Sequence, residues 1–158
     1  MQPGEKYVLK KVRKVQAKEV EKLFVSNENH TRKIVQMNSV ARNFAMNFAR
    51  KAPPEFGQTF TYTMVFLGNL DGEFVTLKNY LNGRFGKHIN NTDDIFGNGS
   101  ELRMKAETFV HYSYVLSAKQ LMIAVDIKGV NYSLSDPEVE SSTLMAMEDT
   151  ILFCSGNL

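Results

Sequence analysis

The chain has one cysteine, Cys154, which excludes an intrachain disulfide and a cysteine-rich zinc site built from this chain alone. Its histidines, His30, His88 and His111, lack metal-ligand spacing. No apolar run approaches the length of a membrane span, so no membrane segment is expected. Met1-Gln2-Pro3-Gly4-Glu5-Lys6 has no apolar segment of the signal-peptide kind, and a cytoplasmic location is the expectation. The sequons at Asn29, Asn90, Asn98 and Asn131 then read as chance matches in an Asn-rich sequence. There is no Walker-type glycine loop, since Gly97-Asn98-Gly99-Ser100 is too short and isolated to serve as one. Internal repeats, low-complexity stretches and an interdomain linker are also missing.

What is present fits one globular domain: 158 residues, 43% hydrophobic, 11% aromatic and 23% charged. Net charge is only +2, but it is unevenly spread. Residues 1–51 carry 12 Lys/Arg against 4 Asp/Glu, while residues 52–158 carry 7 against 13. Such a split suits either a basic solvated face or a cleft with a phosphate side and a metal side.

Tyr7-Val8-Leu9-Lys10 predicts a strand, and Lys18 to Glu28 a short helix or loop. From Thr31 to Lys51, Met37, Val40, Ala41, Phe44, Ala45, Phe48 and Ala49 recur at helical steps, and Pro53-Pro54 ends the run. Thr59 to Leu67 predicts a strand, Gly68 to Gly72 a turn, and Glu73 to Leu81 the returning strand of a hairpin. Asn82 to Lys87 leads away from it, and Asn90 to Ser100 is a long polar loop. A second helix is expected over Glu101 to Ala118, with Leu102, Ala106, Phe109, Val110 and Tyr114 on one side. Gln120 to Val125 predicts a buried strand, with turns at Lys128 to Asn131 and at Ser135-Asp136-Pro137.

Asp126 closes that apolar run, where a carboxylate is held rigidly beside any crevice, and Asp136 follows ten positions later. Two such acids can hold magnesium or divide base and metal roles; as turn-forming aspartates they would do neither. Lys10, on the first strand, suits either nucleotide phosphates or a surface charge. His111, beside Tyr112 and Tyr114, reads as structural; Cys154 has no evident base partner, and Met145 and Met147 read as core.

Asp126-Ile127-Lys128-Gly129-Val130, continuing to Ser135-Asp136-Pro137, resembles the alpha-kinase family of atypical protein serine/threonine kinases, whose pattern is Asp-(Ile/Leu)-Gln-Gly-Val followed by Thr-Asp-Pro. Tyr7 to Lys10, Val40 to Ala45, Tyr80 to Lys87 with Asn90-Asn91, and Phe109 to Tyr114 resemble further family landmarks in family order. The resemblance implies an α+β, two-lobed kinase-like fold with a nucleotide cleft between an N-lobe of about residues 1–77 and a C-lobe of about 82–158. It implies that ATP is bound with Mg2+ and that the γ-phosphate goes to a protein substrate. Lys10 would contact the phosphates, Asp126 would be catalytic, and Asp136 would bind magnesium. Lys78, Asn90, Asn91 and Lys128 fall at nucleotide-contacting positions.

Some positions depart from the family pattern. Lys128 replaces a glutamine, Lys78 stands at the adenine-contacting glutamate, and Cys154 replaces the first glycine of a glycine-rich loop starting near Phe153. The sequence stops before the family's zinc module of His and Cys ligands, which implies an incomplete C-terminal lobe. A catalytically degenerate pseudokinase or scaffold is therefore the alternative expectation. A nucleic-acid-binding module resting on the basic residues 1–51 ranks below both, and no nucleic acid partner is expected.

Overall fold

A computed structural model of the chain describes residues 4–89, 101–117 and 126–139. Along the chain its elements are β1 (Tyr7–Lys10), α1 (Ala17–Phe24), α2 (Asn27–Lys51), β2 (Thr61–Tyr62), β3 (Val65–Leu70), β4 (Glu73–Asn79), β5 (Gly86–Ile89), α3 (Glu101–Leu116), β6 (Ile127–Val130) and β7 (Ser133–Ser135). The strands form two sheets, an antiparallel one of order β1-β4-β3 and a mixed one of order β2-β7-β6-β5. In the second, β2 runs parallel to β7 and the other neighbours are antiparallel.

The long helix α2 braces both sheets. It starts at Asn27 and not at Thr31, because Ser26 caps it, its side chain accepting the Asn29 N–H at 3.1 Å. Arg32 reaches back one turn to Glu28 at 2.6 Å. Met37, Ala41, Phe44, Ala45 and Phe48 are buried as the helical period requires, while Ala49 lies on the exposed side. These side chains meet Phe60, Tyr62, Ile89, Ala106, Phe109, Ile127, Leu134 and Val139 in one core. Phe109, fully buried on α3, packs against Phe48, Phe60 and Tyr62 at ring separations of 5.6, 6.0 and 6.4 Å.

The hairpin forms as expected, but its turn is tighter. Asp71 (φ 52°) and Gly72 (φ 84°) alone make it, the primed geometry that favours Asp-Gly, so Gly68, Asn69 and Leu70 belong to β3. The single strand expected over Thr59 to Leu67 is two. Thr61-Tyr62 pairs with β7, and after Thr63 and Met64 the chain crosses to pair with β4. Lys128-Gly129-Val130 is strand and not turn; the turn falls on Asn131 (φ 51°) and Tyr132. β5 was not foreseen. The strand expected over residues 120–125, the loop 90–100 and the residues after 139 lie outside the described residues.

Gly129 has a packing reason. A Cβ there would sit 2.1 Å from the Ser133 carbonyl oxygen and 2.8 Å from the Leu134 Cα, so only glycine lets β7 approach β6. Gly129→Ala should therefore lower stability by about 3 kcal/mol, at the upper end of overpacking costs. Gly86→Ala, whose Cβ meets nothing within 4 Å among the described residues, should stay within about 0.5 kcal/mol. Urea unfolding of both variants checks the difference.

Candidate functional site

The first sheet supplies two lysines to one face. Val8 pairs with Lys78 and Lys10 with Thr76 across β1 and β4, so strand alternation places Lys10 and Lys78 diagonally on the same side. Both ammoniums reach Asp136, just beyond β7 in the second sheet. Lys10 Nζ lies 2.6 Å and Lys78 Nζ 2.7 Å from the same Oδ2. Lys78 also donates to the Ser135 hydroxyl. Asp136 has φ 50°, a left-handed backbone that aspartate tolerates, at the residue preceding Pro137.

Burial is the largest single influence on Asp136 and would raise its carboxyl, but the hydrogen bonds and the charges of Lys10 and Lys78 together outweigh it and hold the group below its ordinary 3.8. Burial pushes the Lys78 ammonium below its ordinary value, and Asp136 opposes that push. Lys78 is nearly enclosed, with 9% of its side chain exposed, whereas Lys10 is 51% exposed. Lys78 is thus the member that depends most on Asp136.

The second cluster belongs to β5 and β6. Asp126 and Lys128 are two residues apart in extended backbone, so their side chains leave on one side and the Lys128 ammonium bonds Asp126 Oδ2. Lys87 stands directly across from Lys128. Two lysines opposite one another repel, and Asp126 offsets this: its Oδ1 lies 3.1 Å from Lys87 Nζ, at an angle too bent for a hydrogen bond. The buried Tyr62 phenol is pushed up first by burial and then by the Asp126 charge. Its hydroxyl has no hydrogen-bond partner among the described residues.

The two clusters share a wall. On the side of Lys128 opposite Lys87, its cross-strand neighbour is Ser135, the hydroxyl bonded by Lys78. Lys10, Lys78, Lys128, Ser135 and Asp136 line one cavity of about 480 Å3 together with the apolar side chains of Val8, Tyr80, Leu81 and Phe85. A lining that combines ammoniums with apolar and aromatic side chains suits a ligand with a polyanionic end and a flat apolar end. A second cavity of about 500 Å3 opens beyond Lys10 and Asp136 toward α1 and α2.

Sequence reasoning singled out Lys10, Lys78, Asp126, Lys128 and Asp136, and the fold brings these together. It missed Lys87, Ser135 and Tyr62. Lys87 and Ser135 had no signal without the register of β5, β6 and β7. Asn90, Asn91 and Cys154 lie outside the described residues. His111 is exposed on α3, away from these contacts. His88 is half-buried in β5, where burial pushes its imidazole down, and His30 packs edge-on against Phe24 at 4.9 Å.

The donor set does not suit a magnesium ion as it stands. Asp136 Oδ2 holds two ammoniums and each Asp126 oxygen faces one. Among the described residues, no three Asp, Glu, His or Cys side chains come together. A divalent ion beside Asp136 would face the Lys10 and Lys78 charges. Each unit-charge pair about 4 Å apart costs roughly 4 kcal/mol at an effective dielectric of about 20.

Two sheets braced by one long helix, with lysines and aspartates meeting between them, define the class: the chain belongs to the alpha-kinase family, whose sequence profile matches residues 1–152. It is 31% identical over 112 residues to Alpha-protein kinase 1 of Dictyostelium discoideum, a match covering 70% of this chain and 8% of that protein. Among solved structures it is similar to the alpha-kinase domain of myosin-II heavy chain kinase A with a phosphorylated aspartate: TM-score 0.72, 25% identity, 96% of this chain and 56% of that one. The same domain in complex with AMP-PNP superposes with TM-score 0.68 at 26% identity, covering 87% of this chain and 51% of that one. The chain thus spans about half of these solved domains.

Stability should report the Asp136 bridge. A carboxyl depressed in the folded state contributes stability in full above its unfolded value, near 3.8, and loses it as pH falls toward the lower folded value. Asp136→Asn should flatten that acid-side slope. At neutral pH it should cost roughly 2 kcal/mol, discounted from the about 3–5 kcal/mol of a fully buried pair because Asp136 is partly exposed. Urea midpoints from pH 3 to 7 measure both effects.

Proposed function

We propose that this chain is a nucleotide-binding domain of alpha-kinase type that transfers the γ-phosphate of ATP to a hydroxyl of a protein substrate. The observation that carries this reading is the convergence of Lys10, Lys78, Lys128 and Asp136 around one cavity, with Asp126 paired to Lys128 beside it. The purine would lie against Val8, Leu81 and Phe85, and the phosphates beside the ammoniums. Phosphoryl transfer depends on fixed positive charge and an oriented hydroxyl. Lys10 and Lys128 would supply the charge. Asp126, held by Lys128 and Lys87, would accept the proton of the attacking hydroxyl. Asp136, for which magnesium was the expectation, would act by anchoring Lys10 and Lys78. In this reading residues up to about 77 form the N-lobe and those from about 82 the C-lobe, with the nucleotide between them.

A second reading has a specific observation in its favour: both carboxylates are already occupied by lysines, two of them at Lys78 and Lys128. A domain of this kind would bind nucleotide without turnover.

The two separate in a transfer assay. With γ-labelled ATP, magnesium and a basic helical protein substrate, the wild-type chain should incorporate phosphate. Asp126→Ala should lower the rate at least about a hundredfold, the lower range for losing a general base. If both are equally inert, the enzyme reading fails. A rise in melting temperature with ATP but no transfer would then leave the binding reading standing.

A further inference from the structure

The clearest mismatch between the site and a kinase's usual requirements is its excess of cations. Lys10 and Lys78 share Asp136, and Lys87 and Lys128 share Asp126. Among the described residues, these two groups set four ammoniums against two carboxylates, a local surplus of positive charge. Three of the four, Lys10, Lys78 and Lys128, line the same cavity. A nucleoside triphosphate brings several negative charges, which need either a divalent ion or protein cations to offset them.

The geometry points to protein cations: we infer that this site binds a nucleoside triphosphate in its metal-free form, with the Lys10, Lys78 and Lys128 ammoniums taking the place of magnesium. The inference rests on the nucleotide-binding part of the proposed function, which both readings above share. The physical reasons are local. Magnesium prefers carboxylate oxygens in a near-octahedral shell, and here Asp136 Oδ2 and both Asp126 oxygens face ammoniums. An ammonium can swing from a carboxylate to a phosphate oxygen and keep a charge-assisted hydrogen bond in both positions. Lys10 and Lys128 have that freedom, with 51% and 20% of their side chains exposed. The more enclosed Lys78 is placed to stay on Ser135 and Asp136 and act as a fixed charge. Magnesium-complexed nucleotide carries less negative charge, so it gains less from this wall.

Calorimetric titration of the 158-residue chain with ATP tests this, once in excess EDTA and once in excess magnesium, at fixed ionic strength. The expected result is an affinity in EDTA equal to or tighter than that in magnesium. Lys128→Gln, which keeps a polar side chain on β6, should weaken binding in EDTA about tenfold and lessen its salt dependence. Circular dichroism melts confirm that the variant folds. Binding in magnesium that weakens tenfold or more in EDTA overturns the metal-free inference and leaves the nucleotide site standing. Binding in neither buffer overturns both. Affinity in EDTA indifferent to Lys128→Gln, with the variant folded, overturns the role given to the ammoniums.

Discussion

One carboxylate joins the two halves of this molecule. Asp136 stands just past the last described strand of the second sheet, and its Oδ2 accepts ammoniums from two strands of the first. The neighbouring contacts follow from that one. Lys78 can stay charged while nearly enclosed because Asp136 and Ser135 receive it. Ser135 is in reach because it ends β7, and β7 lies close to β6 because Gly129 has no Cβ. Lys128, opposite Ser135, carries the arrangement on to Asp126 and Lys87.

Buried ion pairs add little net stability, since desolvation offsets most of their attraction, but they are costly to break. Their effect here is positional. They hold positive charge in the lining of a cavity that also carries Val8, Tyr80, Leu81 and Phe85. The fold itself rests on a separate set of contacts, the core around Phe109, Phe60 and Phe48 against α2. That division frees the site residues from packing duty. It also explains how an alpha-kinase frame accommodates lysines at 78 and 128 without losing its architecture.

Much of the scaffold was legible because it depends on local period and turn chemistry. The α2 face from Met37 to Phe48, the α3 face around Phe109, and the Asp71-Gly72 hairpin are set by side chains close in sequence. The errors fell where pairing is long-range. Thr61-Tyr62 and Val65–Leu70 look like one strand in sequence, yet they pair with partners in different sheets. Lys128 to Val130 has the glycine and polar content of a turn but becomes a strand, because β5 and β7 flank it. The earlier start of α2 had a readable sign in Ser26, a good capping residue ahead of the helical run.

The candidate site divides the same way. Chemical type and order along the chain were enough to single out Lys10, Asp126 and Asp136, because a strand lysine and two rigidly placed acids ten residues apart are properties of the linear sequence. Which lysine meets which aspartate was not. Lys10 and Asp136 are 126 residues apart, and their contact depends on β-sheet register and on α2 spanning both sheets. The partnership of Lys87 with Asp126 needed the β5–β6 pairing in the same way. Sequence determines which charges are available and what local structure carries them. Only the tertiary fold decides which of them lie close enough to neutralise one another, because Coulomb attraction acts through space and takes no account of distance along the chain.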